Sequence, residues 1–273
     1  MKFSLLAKTE FEKDFQASVV RVQKRLGAYV KSPTVKNVHD IRTALRRLES
    51  VSLVLPKRSR KQLSKYLKLS KIVFKSSTEI RDSDIILERF ANYPALERSK
   101  IIESLKSKRK KLVSRSSKYA RKLRKKTLEF ELRGLKDAKL RKRYGKLVDQ
   151  LNFRIQTLLP IVKDDPKKVD ELHLLRKVCK ELRYLSELSK DKEQIERLKK
   201  WQKHLGDIHD SDVVIAYAGK KAKSFEVAKI IRDLKRSRDE QFEEFVSMLD
   251  RPQATPAVEK QPTRKVSSAE TPG

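Results

Sequence analysis

VHDIRTALRRLESV at residues 38–51 and LHLLRKVCKELRYL at residues 172–185 are two versions of one helical pattern. With His39 set at zero and about 100° per residue, Arg42 and Arg46 fall within about 60° of it. Ile41, Ala44, Leu45 and Leu48 fall on the far side. The second copy repeats the division: His173, Arg176, Lys180 and Arg183 share one face with Tyr184 beside them, and Leu175, Val178, Cys179 and Leu182 share the other. Steps of three and four keep these side chains neighbours along one ridge. Each stretch therefore predicts a helix that buries one face and presents a row of cations on the opposite one.

Such cations repel each other unless phosphates lie along the ridge. Arginine suits that task, because its planar fork binds phosphate oxygens bidentately and keeps its charge. Histidine adds a donor whose charge rises beside an anion. One copy alone reads as a solvated charged face. Two copies on matching faces point to a shared ligand.

The repeat extends outward. IRDSDII starts at Ile80 and IHDSDVV at Ile208, each some way after its ridge helix, at similar separations. Between and around these pieces, apolar residues recur at three- and four-residue steps, punctuated by Pro33, Pro56, Pro94, Pro160 and Pro166. The pattern predicts helices over 9–31, 36–55, 59–78, 82–92, 95–128, 136–160, 167–190, 193–206, 211–222 and 224–250. Only six glycines and few aromatics argue against a sheet protein, so an all-α fold is expected. Residues 251–273 contain four prolines and almost no large apolar side chain, which predicts a disordered tail.

Charge sets the partner class. A formal net charge of +32 on 273 residues opposes compaction and exceeds what solubility needs. Between Lys100 and Lys126 stand thirteen Lys/Arg and one acid, Glu103. Ile101, Leu105, Leu112, Tyr119 and Leu123 form a packing stripe there, which leaves Arg109, Arg115, Lys118 and Lys122 for water or a polyanion. Cys179 is the only cysteine, so no internal disulfide forms, and its place on an apolar face marks it as a small buried hydrophobe. The start of the chain lacks the apolar run of a signal peptide, and no stretch approaches about 18 apolar residues. A soluble cytoplasmic protein without a membrane span is expected, and a monomer is compatible with the pattern.

Catalytic signatures are missing: no Gly-rich phosphate loop, no GxSxG, no HExxH and no CxxC. Asp82 and Asp84, like Asp210 and Asp212, point about 200° apart on a helix and chelate poorly; they read better as helix N-caps. His204 and His209 do not share a face, so no metal site is expected. EFELR at residues 129–133 is similar to the acidic strand of triphosphate tunnel enzymes, but it stands alone in a basic helical context and is read as chance.

The residues H39-x-x-R42-x-A44-L45-R46-R47-L48 and H173-x-x-R176-x-x-x-K180-E181-L182-R183-Y184 resemble the two signature helices of the CHAD domain, the conserved histidine α-helical domain. R81-D82-S83-D84-I85 and L205-G206-D207-I208-H209-D210 resemble its companion segments. The resemblance covers about residues 5–250. It implies two four-helix bundles, about 1–150 and 151–250, related by a pseudo-twofold axis with a basic groove between them. It further implies that inorganic polyphosphate lies in the groove, bound without a metal and without cleavage, so that the protein is not an enzyme. The family's binding residues carry over to His39, Arg42, Arg46, Arg47, Arg81, His173, Arg176, Lys180 and Arg183. Lys177 on the same helix, and Arg109, Arg115 and Lys118 on the basic helix, join them as candidates from charge. Glu49 and Glu181 stand where many relatives are basic, and Thr78 where a glycine is common. Nucleic acid is the alternative partner, disfavoured because the ridges lack interleaved aromatics for stacking bases.

Overall fold

The structure is a computed structural model that describes residues 6–96, 99–126, 136–220 and 225–250. The expected tail at 251–273 and the EFELR segment lie outside the described residues. The described residues are all-α: α1 (Lys8–Lys31), α2 (Val35–Leu53), α3 (Lys57–Gln62), α4 (Ser64–Ser76), α5 (Thr78–Phe90), α6 (Lys100–Arg124), α7 (Asp137–Asp164), α8 (Val169–Ser189), α9 (Lys192–Gly219) and α10 (Phe225–Asp250). A 3₁₀ turn, Pro94–Leu96, leads from α5 towards α6.

The two ridge stretches form α2 and α8, and their apolar faces are buried as the wheel requires. Val38, Ile41, Leu45 and Leu48 are at most 2% exposed in α2, and Leu172, Leu175, Cys179 and Leu182 at most 1% in α8. Burial of a leucine on this scale stabilises by roughly 1.5–3 kcal/mol. Thr34 caps α2 by accepting from the backbone N–H of Asn37 at 3.2 Å. Burial pushes the Cys179 thiol up to about 12, so the residue is an inert packing group.

In the first half, α1 packs on α2 and α6, and α4 packs on α2, α5 and α6. In the second, α8 lies between α7 and α9, and α9 packs on α10. The matched elements meet: α2 contacts α8, and α5 contacts α9. The largest apolar cluster runs through both halves, from Phe11 and Leu45 to Leu182 and Phe245. A second cluster joins Ile85, Phe90 and Leu105 to Val214, Val227 and Ile230. Neither half closes a core alone.

Besides the stretch 59–78, which a turn at Leu63 divides into α3 and α4, three points differ from the sequence expectation. The segments 193–206 and 211–222 are one helix, because Gly206 and Asp207 continue α9 without a break. Pro160 lies inside α7, which runs on to Asp164. One lost backbone bond near the end of a 28-residue helix does not stop it. The third concerns the aspartates of the repeated IRDSDII and IHDSDVV segments. They cap nothing: α5 already begins at Thr78, and Asp191 caps α9 by accepting from the N–H of Gln194 at 3.0 Å. Asp82, Asp84, Asp210 and Asp212 are mid-helix, and Arg109, Arg81 and Arg238 hold the last three in turn.

Candidate polyanion-binding groove

Between α2 and α5 on one side and α8 and α9 on the other lies a cleft of about 640 Å³. Arg42, Arg46, Arg81, Arg176, Lys177, Lys180 and Lys203 line it, against the carboxylates of Asp82, Asp207 and Asp210. His39, His173 and His209 line it as well. Seven Lys and Arg side chains thus face three acids across the cleft.

Several of these cations are fixed before any ligand arrives. The Arg42 guanidinium donates to Phe74 O at 3.1 Å, Ser77 Oγ at 3.4 Å and Thr78 Oγ1 at 2.8 Å, which pins the α4–α5 junction. Thr78 supplies the shortest of these contacts. Arg42 and Arg46 cover the Phe74 ring, at 4.5 and 4.4 Å from its centre. Arg46 also reaches Glu49 at 3.3 Å. Arg81 donates to Asp210 at 3.3 Å and so ties α5 to α9 across the cleft. Nε of Arg176 is buried with no partner.

Crowding and burial shift the titrations. Burial, helped by Arg176, pushes the Lys180 ammonium down to about 7. Burial also brings Arg42 down to about 10 and lowers Arg176. His209 falls to about 3 through burial and the charge of Arg176. His39 is lowered by desolvation and by Arg81. Asp82 and Asp210 are raised, chiefly by burial. Burial disfavours the charged forms of Lys180, Arg42, Arg176 and His39, and a bound anion would favour them.

Asp84 and Asp212, the second aspartates of the repeated IRDSDII and IHDSDVV segments, do not line the cleft and hold arginines instead. Asp212 accepts from Arg238 Nε at 3.1 Å, and Arg238 also donates to Pro166 O at 2.6 Å, just before α8. The same strap recurs in the first half: Arg109 donates to Asp84 and, at 3.1 Å, to Pro33 O, just before α2. Each strap anchors the approach to a ridge helix. They differ in one respect. His173 Nε2 meets Asp212 Oδ2 at 3.1 Å, whereas Asp84 Oδ2 has no partner and His39 lies 3.5 Å from Thr43 Oγ1.

Eight of the residues singled out in the sequence come together in the cleft: His39, Arg42, Arg46, Arg81, His173, Arg176, Lys177 and Lys180. Five do not line it. Arg47 and Arg183 flank it, paired with Glu187 at 2.8 and 3.8 Å and set against the Tyr184 ring. Arg109 is spent on Asp84, and Arg115 and Lys118 are exposed on α6, whose residues do not line the cleft. Sequence reasoning missed Gln202, Lys203, Asp207 and His209. Unbroken helical spacing through 202, 206, 209 and 213 places this stretch on one face, which the expected division into 193–206 and 211–222 hid. The His209 ring packs edge-on against His173, centres 4.4 Å apart. Among the described residues, no group of three His, Cys, Asp or Glu is arranged to hold a metal ion.

The described residues form a helical fold with a cation-lined cleft between two repeated ridge helices. The comparisons place it further. The sequence pattern of the CHAD domain matches residues 14–219, and the chain belongs to that family. Its fold is similar to the crystal structure of the CHAD domain from the plant Ricinus communis, with a TM-score of 0.58 at 16% identity over 90% of this chain and 92% of that one. No curated protein matches the sequence. No described helix is long and apolar enough to cross a membrane.

Proposed function

We propose that the chain binds inorganic polyphosphate in the cleft between α2 and α8 and releases it uncleaved. The two halves are related by a pseudo-twofold axis on this reading, which is why α2 meets α8 and α5 meets α9. The eight cleft residues named above, with Lys203, hold the phosphates. One observation carries the choice of ligand: the cleft offers seven Lys/Arg but no free Phe, Tyr or Trp face. Its one Phe and one Tyr ring, Phe74 and Tyr184, each have guanidinium groups set against them. Stacking of single-stranded bases, worth about 1–3 kcal/mol each, has no platform there. A chain of bare phosphates needs none.

Competition separates this from RNA binding. Long-chain polyphosphate is expected to displace single-stranded RNA of equal total charge at physiological salt, and to be recovered at full length with or without Mg²⁺. Both affinities fall with salt, so salt dependence alone decides nothing. RNA winning the titration would sink the ligand assignment, and shortened chains on a gel would sink the non-catalytic reading.

Binding is also expected to take up protons. The Lys180 ammonium sits at about 7 in the free protein, and His39 is lowered too. Phosphates alongside raise both, and raise Asp82 and Asp210 in the same direction. Affinity therefore falls as pH rises from 6 to 8, and calorimetry in two buffers of different ionisation enthalpy shows net uptake. In the free protein, Lys180 titrates lower than its ordinary 10.5. The unfolded chain then holds the extra proton between about 7 and 10.5, so stability rises with pH across that window. Bound polyphosphate should flatten that slope. Buffer-independent heats would contradict the assignment of Lys180 to the site.

A further inference from the structure

A second cavity, of about 380 Å³, opens between α2, α3 and α4 and lies behind Phe74, whose side chain lines both it and the cleft. Its size is within the range of about 300–1,000 Å³ typical of small-molecule sites. Leu45, Leu48, Leu67 and Phe74 contribute apolar surface. Lys57, Arg60, Lys61, Lys68 and Lys71 also line it, and none of the five forms an ion pair with a described residue. Glu49 is the one acid there, and Arg46 holds it at 3.3 Å. Ser70 lines the cavity too, 6% exposed, with a buried hydroxyl that has no partner.

This chemistry differs from that of the cleft. A bare phosphate chain gains nothing from four apolar side chains. A neutral hydrocarbon gains nothing from five unpaired cations. An anion on an apolar body uses both, and each buried methylene adds about 0.8 kcal/mol. The second half has no equivalent, because α8 passes to α9 through Lys190 and Asp191 with no helix pair between them.

We infer that this cavity is a binding site for a small amphipathic anion, a medium-chain carboxylate or alkyl phosphate, with its charged head among the lysines and its chain against the leucines. The inference is independent of what fills the cleft. Decanoate, kept below its micellar concentration, tests it by calorimetry on the full chain. Saturable one-to-one binding is expected, with decanol and pyrophosphate each at least tenfold weaker. The K61E/K68E double variant is expected to weaken decanoate at least tenfold, and Leu67→Trp, which fills the cavity without changing charge, to abolish its binding. Both variants should retain the far-UV circular dichroism and the polyphosphate affinity of the parent within about twofold. Decanol binding as tightly as decanoate would overturn the anion requirement. Pyrophosphate binding as tightly would reduce the site to a basic surface. Binding only to anionic phospholipid vesicles, with none to free decanoate, would overturn a small-molecule pocket. Decanoate binding unaffected by Leu67→Trp would place it elsewhere.

Discussion

Reversing Arg46 and Arg176 to glutamate is expected to weaken long-chain polyphosphate binding at least tenfold, about 1.4 kcal/mol or more, while the chain stays folded. The pair is chosen with one residue from each ridge. Arg46 is a third exposed and spends its charge on a solvent-facing pair with Glu49. Arg176 lines the cleft with a buried Nε that has no partner, so its charge is committed to no protein acceptor through that atom. Arg42 is the poorer choice although it lies on the same ridge. Its guanidinium holds the α4–α5 junction through Phe74, Ser77 and Thr78, so its reversal would confound binding with unfolding. Removing residues 251–273 is the matched control and should change affinity little. If the deletion weakens binding more than the double reversal, the cleft is not where the chain sits.

The largest expected loss of stability comes from a residue that charge alone would assign to the ligand. Arg109→Ala strands the Asp84 carboxylate, whose side chain is 1% exposed and whose Oδ2 already lacks a partner. Breaking a buried pair from one side costs about 3–5 kcal/mol, because the remaining charge stays buried. It also frees Pro33 O at the entry to α2. A drop in melting temperature on the order of 10 °C is expected for a chain of this size. Arg115→Ala, exposed six residues along the same helix, should change stability by no more than about 0.5 kcal/mol. Replacing Arg109 and Asp84 together by apolar residues should recover part of the loss. Equal melting temperatures for the two alanine variants would remove the strap from the account.

The contrast between Arg109 and Arg115 shows what sequence periodicity carries. The wheel at 38–51 and 172–185 separates buried from cationic residues, because one helix suffices to define its own faces. It places Cys179 in the core for the same reason. The all-α fold follows from the same periodicity. Arg109 was beyond its reach: the partner that claims it, Asp84, lies 25 residues earlier on another helix. The same limit explains the aspartates. An Asp before an apolar run satisfies the local rule for a cap, and only the packing of α6 on α5 and α10 on α9 turns Asp84 and Asp212 into anchors. The expected break between 206 and 211 is absent, and α9 runs through Gly206. The glycine is tolerated where α9 is held by α8 and α10 on its flanks, and the expected division hid the face that carries Lys203 and His209 into the cleft.

The central claim is that phosphates lie between the two ridges, and a structure of the complex with a long-chain polyphosphate tests it most directly. The account predicts a continuous phosphate chain between α2 and α8, its oxygens about 3 Å from the Arg46, Arg176 and Lys180 nitrogens. A chain ordered along the outer face of α6, on Arg115 and Lys118, with the cleft between His39 and His173 left empty, would contradict it.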